Sequence, residues 1–461
     1  MNFTPGPRID PGIPVRMNLR ALHKAVAPLL VVLAIVPLLL AATMACVSKL
    51  DAHPDEINHI EAGRYYLKYW DPPKAGDPRT LESLSKYGIS YLNQFESVYF
   101  VAGNFAKLLT VCGVPDYLAL RLFNVTLFGL LVALALSLRG RARLAFLPLF
   151  LSPQIWYIFS YFNGDGLPLA LSFLPVWLVA RDWFPPRPDD DPDDPDAQDE
   201  DAPGRVPGWR SWAAILLVAA AIFTCKMNYY VFLAYLFAFP ACLAANQGRW
   251  RALLKIAAAA ALVALMGLAV RQEFDHYVNG GQGNKSQIVA EEFAQKDFKP
   301  SSQDIGVAHF GIHMRDMGLS YKDLFVVWDW HIWTFRTSFG TYDYMKIYAP
   351  FIYYRYMSWA LIGLALAVGL PLLRSGREAA SLACLALFFS VACIFQSTWH
   401  SWINDFQAQG RYLFPIAAIT GMLMARHRER LTSLFIPVCA GAMYALSIYS
   451  FVFVGLAEIP K

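Results

Sequence analysis

The feature that most constrains this chain is a series of long apolar runs, because a helix needs about 20 mostly apolar residues to cross a bilayer. The sequence supplies roughly eleven such runs, some of them short or broken. Charged residues make up 16% of the 461 residues, whereas soluble domains carry about 25%. We therefore predict an all-α polytopic membrane protein with a transmembrane domain over 25–455 and a short tail, 456–461. The predicted spans lie near 25–49, 118–138, 143–160, 166–181, 211–225, 228–246, 253–271, 349–373, 378–396, 411–425 and 432–455.

The basic residues of the short loops set the predicted orientation, because cytoplasmic loops are enriched in lysine and arginine. The N-terminal tail, residues 1–24, is basic and is expected in the cytoplasm. Alternating the spans then places the arginines of four further short loops on the same side. These residues are Arg139, Arg141, Arg143, Arg249, Arg251, Arg374, Arg377, Arg426, Arg428 and Arg430.

The same alternation leaves two large segments outside the membrane, residues 50–117 and residues 272–348. Within the first outer loop, the apolar segment 96–113 is predicted to be a helix lying in the membrane interface, since an extra span there would invert every later loop. Residues 182–210 hold a Pro/Asp-rich run that cannot bury apolar surface. We expect this segment to be a disordered cytoplasmic loop.

The first polar cluster, residues 51–59, follows the first span and reads DAHPDEINH. Asp55 and Glu56 are candidate catalytic residues, since a carboxylate here could take a proton from a hydroxyl acceptor. His53 and His59 could line the same pocket. The structural alternative is a solvated acidic turn that caps a helix beginning near Glu56. These residue types could also hold a divalent metal, but the spacing does not fix three ligands, so no metal ligand is assigned.

Two further clusters fall at outer turns. Asn163 and Asp165 lie between the third and fourth predicted spans, where Asn-Gly and Asp-Gly pairs favour a turn that does not itself require an acid. Lys226 interrupts a long apolar run, and a lysine at a helix centre costs about 2.5–3.5 kcal/mol on insertion scales. Breaking the run into two short helices places Lys226 at an outer hairpin tip, where it could bind a lipid phosphate. Snorkelling to lipid headgroups is the alternative.

The fourth cluster, QAQGRYLFP at 407–415, begins the tenth predicted span. Arg411 would lie at an outer helix N-terminus, where the helix dipole opposes a cation but favours a bound anion. The arginine fork suits phosphate, and Gln409 and His400 stand near it as further binding candidates; an interface anchor is the alternative. The dense aromatic residues of 328–344 suit either sugar faces or an interfacial belt.

All four clusters fall on the outer side of the predicted topology. A base combined with cations suits attack on an activated group whose leaving group is a phosphate. Ionisable residues within the spans are few and lie at one end, which favours an enzyme over a flippase or transporter of lipid-linked glycans. A polysaccharide polymerase or ligase with a diphosphate donor would share the outer cations and stays an alternative. The pattern indicates membrane lipid, and no nucleic acid, as a partner.

These motifs resemble those of a known family. PDE followed by His59, the S-x-x-N-x-D turn, the lysine hairpin and above all QGRYLFP resemble the membrane-protein family of unknown function 2142, over residues 25–455. That family is similar to the GT-C glycosyltransferases, which use polyprenyl-phosphate-linked sugars. The resemblance implies a GT-C-like arrangement of spans, with Asp55 or Glu56 as the base and Lys226 and Arg411 as phosphate partners.

The resemblance also implies a reaction and a location. It indicates an inverting glycosyltransferase at the outer face of a bacterial inner membrane, with the N-terminus in the cytoplasm. The donor would be a polyprenyl-phosphate sugar, and the acceptor would be a hydroxyl group on a cell-envelope glycan, a lipid or a protein.

Overall fold

The structure is a computed structural model that describes residues 19–183, 209–303 and 313–461. Of the predicted N-terminal tail and acidic loop, residues 1–18 and 184–208 lie outside the described residues. The prediction of a helical membrane protein is confirmed in outline, because six helices in the described part are long and apolar enough to cross a membrane. These helices are Asp116–Ser137, Met227–Asn246, Trp250–Val278, Phe351–Arg374, Arg377–Ile403 and Phe435–Leu456.

The described residues of the first half of the chain are mostly helical. In order, the α-helices are α1 (Leu19–Val47), α2 (Glu56–Lys68), α3 (Val98–Val111), α4 (Asp116–Ser137), α5 (Leu147–Phe150), α6 (Pro153–Ile158), α7 (Gly166–Leu178), α8 (Trp209–Phe223) and α9 (Tyr230–Asn246). Two of the predictions from sequence are confirmed here. The apolar segment 96–113 forms the separate helix α3, whose location in the membrane interface stays a prediction, and the run around Lys226 breaks into α8 and α9.

The second half contains several long helices and one small hairpin. In order, the elements are α10 (Trp250–Val278), α11 (Lys285–Phe293), α12 (Pro300–Gln303), α13 (Asp323–Val326), α14 (Trp330–Ser338), β1 (Thr341–Tyr342), β2 (Ile347–Tyr348), α15 (Phe351–Arg374), α16 (Arg377–Ile403), α17 (Pro415–Arg426) and α18 (Phe435–Tyr449). The strands β1 and β2 pair antiparallel, with Thr341 opposite Tyr348.

In the described part of the chain, six of the roughly eleven predicted spans correspond to the six long apolar helices, so the predicted number of spans is not confirmed. Two of the other predicted spans differ from the structure in form. The span at 143–160 is wrong as a continuous helix, since it consists of one 3₁₀ segment and the short helices α5 and α6. Pro153 begins α6 and the Ser152 hydroxyl accepts a hydrogen bond from the Ile155 amide, so this sequence starts a new helix there. The span at 411–425 is shorter than predicted, because Arg411 lies in a 3₁₀ turn, Gly410–Leu413, and α17 begins only at Pro415.

The broken segment α5–α6 lies at the centre of the molecule. All six residues of α6 are buried, and Trp156 and Phe159 are fully enclosed in the main hydrophobic cluster. Irregular backbone at membrane depth is tolerated where protein surrounds it, because protein groups can complete its hydrogen bonds. By contrast, α10 has almost none of its apolar surface buried against the rest of the protein.

The predicted cytoplasmic arginines gather at one end of the bundle, which we call the basic end. They bond across neighbouring loops as follows: Arg141 to Glu429, Arg428 to Ala180 and Arg430 to Ser375. The helices α4 and α16 each have one terminus at these loops and run to the opposite end. The opposite end, the site end, therefore carries the segments that hold the candidate residues.

Candidate functional site

Four segments that are distant in sequence meet at the site end. They are the loop after α1, the turn before α7, the turn between α8 and α9, and the turn before α17. The guanidinium of Arg411 lies 3.8 Å from Asp55 Oδ2 through Nη2 and 3.6 Å from Asp165 Oδ2 through Nη1. The ammonium of Lys226 lies 3.1 Å from Asp165 Oδ2. The four residues chosen from sequence thus form one charged cluster.

Asp55 is the exposed carboxylate of this cluster. It occupies the left-handed region (φ 57°) immediately before α2, a conformation that aspartate tolerates better than most residues. Asp55 stands at the N-cap position of α2, as the structural alternative predicted, but its side chain makes no capping hydrogen bond to the helix. The side chain is 44% exposed, which leaves its carboxylate accessible to a molecule arriving from solution.

Glu56, the other candidate base, points away from this cluster. Its two carboxylate oxygens accept hydrogen bonds of 2.7 and 2.8 Å from Nε and Nη2 of Arg121, and both side chains are fully buried. Arg121 also donates to three backbone carbonyls at the end of α1. The assignment of Glu56 as a base is therefore corrected: it is part of a buried ion pair that joins α2 to α1 and α4.

The two histidines of the same loop are buried structural residues. His53 bonds to Ser48 and to the Tyr157 hydroxyl, at 2.8 and 2.9 Å. His59 bonds to the Tyr99 hydroxyl at 2.7 Å and stacks on Tyr91. Burial holds the pKa of each histidine well below its usual value, so both are neutral at pH 7. They orient the walls of the site but do not contribute positive charge to it.

Asn163 shapes the turn that presents Asp165. Its side-chain oxygen accepts hydrogen bonds from the backbone amides of Asp165 and Gly166, and its amide group donates to the carbonyls of Ile158 and Tyr161. Asn163 is thereby committed to the turn, which corrects its assignment as a binding residue. Asp165 is only 1% exposed, and its Oδ1 has no hydrogen-bond partner within the described part of the chain.

Lys226 lies in the turn between α8 and α9, as its interruption of the apolar run predicted. The turn is fixed to the start of α3 by a hydrogen bond from the Ser97 amide to the Thr224 carbonyl. Burial lowers the pKa of Lys226, but the charges of Asp165 and Glu96 raise it above its usual value. The ammonium group therefore stays charged at pH 7.

Arg411 is held in place by its backbone more than by its side chain. The Gly410 amide donates to the Thr337 hydroxyl in α14, and a β-carbon at Gly410 would come within 2.1 Å of Ser338 Oγ. Only glycine therefore fits before Arg411. Burial lowers the pKa of Arg411 while Tyr412 and Asp165 raise it well above its usual value, so the group is charged. Its Nε has no hydrogen-bond partner among the described residues.

Two other predicted binding residues lie beside the cluster. Gln409 is half-buried and directly precedes the turn of Arg411. His400 is exposed in the last turn of α16, where its Nδ1 pairs with the side-chain amide of Asn404. Neither shows a contact with Asp55, Asp165 or Lys226 in the ion pairs and hydrogen bonds of the described ranges.

One residue of the cluster, Glu96, was missed from sequence. A β-carbon at Gly164 would lie 2.9 Å from Glu96 Oε2, 2.9 Å from Lys226 Cε and 3.3 Å from the Tyr99 hydroxyl, so these groups surround one point. Burial raises the pKa of Glu96 to about 7. A single acid beside an apolar segment is not part of a motif that indicates a site, so Glu96 was not predicted from sequence.

Three tyrosines lie close enough to Asp55 to interact with its charge. Burial is the main reason that the pKa values of Tyr87, Tyr91 and Tyr344 are raised, and the charge of Asp55 adds to each rise. The Tyr344 hydroxyl donates to Asp51 at 2.7 Å. Flat rings with hydroxyl edges can cover the C–H patches of a sugar while hydrogen-bonding its hydroxyl groups.

The cluster contains charge that its own members do not fully pair. Arg411 lies beyond hydrogen-bond distance of both carboxylates, and buried polar atoms normally have such a partner. Three of the unpartnered buried atoms in the described chain belong to this cluster: Asp165 Oδ1, Glu96 Oε2 and Arg411 Nε. This arrangement can accept an anion next to an accessible base. No group of three His, Cys, Asp or Glu side chains in the described ranges is placed to hold a metal ion.

Comparison with known proteins adds no relative. The chain matches no family model, no curated protein and no solved structure. The likeness to the membrane-protein family of unknown function 2142 therefore rests on the motifs quoted above.

Proposed function

We propose that the protein is an inverting glycosyltransferase that moves a sugar from a polyprenyl-phosphate donor to a hydroxyl acceptor at the outer face of a bacterial inner membrane. The observation that carries the proposal is the cluster in which Arg411 lies near both Asp55 and Asp165. An accessible carboxylate stands beside Arg411, and a second cation, Lys226, shares Asp165 with that arginine. A base-assisted attack on a phosphate-activated sugar requires this combination of a carboxylate and cations.

The cations would act on the leaving group. As the bond between the anomeric carbon and the phosphate oxygen breaks, its electron pair passes to that oxygen and negative charge grows there. Arg411 and Lys226 would stabilise this charge, and their stabilisation is strong because both lie in a largely buried site. Asp165 would hold the two cations at a fixed spacing until the phosphate arrives.

Asp55 would act on the acceptor. Its accessible carboxylate would take the proton of the acceptor hydroxyl as the oxygen attacks the anomeric carbon. A single displacement of this kind inverts the configuration at that carbon. Asp55 is assigned this role alone, because Glu56 is engaged by Arg121.

The location of the cluster suits a lipid-linked donor. Met227 and Phe395, both more than half exposed, lie beside the turn of Lys226, and Gln396 bonds to the Met227 carbonyl at 3.1 Å. An isoprenoid chain could therefore lie against the apolar side chains of Met227, in the turn before α9, and Phe395, in α16, while its phosphate reaches Lys226. A GT-C-like arrangement of helices would place the site at this membrane boundary.

The test is transfer by purified protein in lipid nanodiscs. A panel of polyprenyl-phosphate sugars would be offered with envelope glycan, lipid and protein fractions as acceptors, chosen by comparing glycans of cells with and without the protein. We expect transfer with inversion by the unaltered protein and a loss of about 10²–10⁴-fold in Asp55→Asn. The control is Glu429→Gln, an exposed acid at the basic end. Full activity in Asp55→Asn would contradict the assigned base. Movement of the intact lipid-linked sugar between the leaflets of sealed proteoliposomes, without transfer, would indicate a flippase.

A further inference from the structure

Glu96 is a buried carboxyl group to which the proposed reaction assigns no role. It lies two residues before α3, and its Oε2 is buried with no hydrogen-bond partner in the described chain. The same oxygen is close to Gly164 and to the side chain of Lys226. A buried carboxyl oxygen without a hydrogen-bond partner costs free energy. If that oxygen carries a proton it is a donor, and an oxygen of a phosphate bound at Lys226 would be its acceptor.

A carboxyl group can meet a phosphate oxygen only if it carries a proton, since two anions repel. Burial raises the pKa of Glu96 to about 7, Asp165 adds to the rise, and Lys226, Tyr99 and Arg271 oppose it. The neutral form is thus well populated at pH 7. The titratable groups that face Glu96 are Lys226, Asp165, Arg271, Tyr99, Tyr91 and Cys225.

We propose that Glu96 is the acid of the site: its neutral carboxyl group donates a hydrogen bond to the donor phosphate and passes its proton to that phosphate as the sugar departs. This inference rests on the proposed function. A phosphodiester carries one negative charge, and it would gain a second when the sugar–oxygen bond breaks. The proton from Glu96 neutralises this second charge.

The step balances without any further reactant. The acceptor O–H proton goes to Asp55, the acceptor oxygen bonds to the anomeric carbon, and the electron pair of the broken bond goes to the phosphate oxygen. That phosphate takes the proton of Glu96, leaving Glu96 ionised and Asp55 neutral. Exchange with water then restores both carboxyl groups.

The first experiment measures binding, independently of catalysis. Farnesyl methyl phosphate is a suitable probe because its charge stays constant between pH 6 and pH 9. Titration calorimetry in nanodiscs would give its Kd at each pH for the unaltered protein, Glu96→Gln, Glu96→Asp and Arg411→Ala. Above pH 7, ionised Glu96 repels the phosphate, so we expect the unaltered protein to lose affinity by about tenfold per pH unit. Glu96→Gln, which always has an amide donor, should keep its affinity to pH 9.

Each outcome separates the two proposals. If Arg411→Ala binds the probe as tightly as the unaltered protein, the phosphate site and the proposed function both fail. If Arg411→Ala weakens binding but Glu96→Gln loses affinity with pH like the unaltered protein, only the role of Glu96 is overturned. Glu96→Asp retains an acid and should retain the alkaline loss of affinity. A flat profile in Glu96→Asp would contradict the assignment even if Glu96→Gln failed to fold.

The second experiment measures transfer. Glu96→Gln can bind the donor but has no proton to give, so we expect kcat to fall by about 10²-fold with KM for the donor unchanged at pH 7. A merely structural role would change both constants or lower the unfolding temperature. Equal kcat values for Glu96→Gln and the unaltered protein would rule out proton transfer by Glu96.

Discussion

Asp55 and Glu56 are adjacent in sequence, and each lies next to an arginine, but the two pairs are built in opposite ways. Arg121 donates all of its N–H groups, two to Glu56 and the others to backbone carbonyls at the end of α1. Arg411 makes no contact with a carboxylate shorter than 3.6 Å within the described residues. Arg121 has no N–H group left to donate to a ligand. The guanidinium of Arg411 donates to neither carboxylate, so its N–H groups can bind a ligand.

This difference shows how to separate structural from functional charge in a membrane protein. A buried ion pair with complete hydrogen bonds connects elements of the fold, and removing one partner leaves an uncompensated charge. A pair with long distances and an exposed carboxylate contributes little to stability. Such a pair leaves its charges available to a molecule from outside the chain.

The largest expected effect on this comparison comes from Arg121→Met. The change leaves Glu56 buried without its partner, which costs about 3–5 kcal/mol of unfolding free energy. Thermal unfolding in detergent, followed by tryptophan fluorescence, measures the loss. Arg141→Met at the basic end is the matched control, since its ion pair with Glu429 is long and largely exposed. An unchanged unfolding temperature in Arg121→Met would show that the ion pair between Arg121 and Glu56 does not stabilise the fold.

The claim that Arg411 acts on a ligand and not on the fold is tested by Arg411→Ala and Arg411→Lys. Because Arg411 hydrogen-bonds to neither carboxylate, we expect the unfolding temperature to change far less than in Arg121→Met. Transfer should fall by about 10²–10³-fold in Arg411→Ala, the usual loss when one donor to a developing oxyanion is removed. Arg411→Lys keeps the charge but not the fork and should recover part of this activity. Unfolding as severe as that of Arg121→Met would show that Arg411 is structural too.

A smaller effect is expected from Gly164→Ala. The new methyl group would lie 2.9 Å from both Glu96 Oε2 and Lys226 Cε, so the side chains must separate, at a cost of roughly 1–3 kcal/mol. We expect donor affinity to weaken by about tenfold while the Arg121 pair is unaffected. Gly283→Ala, with no heavy atom within 4 Å, is the control. Equal affinity of both variants would place the phosphate elsewhere.

The smallest effect is expected from Tyr344→Phe. The change removes the hydrogen bond from Tyr344 to Asp51, in the loop that joins the two arginine pairs. Because this bond is partly exposed, the loss in unfolding free energy should be below about 1 kcal/mol. Activity measured alongside should stay within about threefold of the unaltered protein. A large loss of activity would mean that the tyrosine contacts the acceptor directly.

Sequence alone predicted the features that depend on local composition and on the alternation of successive spans between the two sides of the membrane. The helical membrane class and the separate helix α3 follow from runs of apolar residues. The gathering of the loop arginines at one end, and the meeting of Asp55, Asp165, Lys226 and Arg411 at the other, follow from counting spans. Each of these inferences uses the order of segments and needs no knowledge of side-chain packing.

The features that sequence did not predict depend on partners distant in the chain. The partner of Glu56, Arg121, lies within the apolar helix α4, and nothing local distinguishes Glu56 from Asp55 as the accessible acid. Glu96 joins the cluster only because α3 packs beside the turns of Gly164 and Lys226. In the span predicted at 143–160, Pro153 did indicate a break. The protein tolerates this break at its centre because other helices enclose it, and the sequence does not show which helices these are.

The left-handed backbone at Asp55 restricts what can replace this residue over evolution or in a selection experiment. Only glycine, asparagine and aspartate adopt this region readily, and other residues pay roughly 1–2 kcal/mol. Saturation mutagenesis should therefore yield Gly and Asn variants that are well folded but inactive. A longer acid such as Glu would meet both the backbone penalty and a displaced carboxylate. Among glycine, asparagine and aspartate, aspartate is the only acid. A variant that has lost it can therefore regain an acid at this position, without the backbone penalty, only by returning to aspartate.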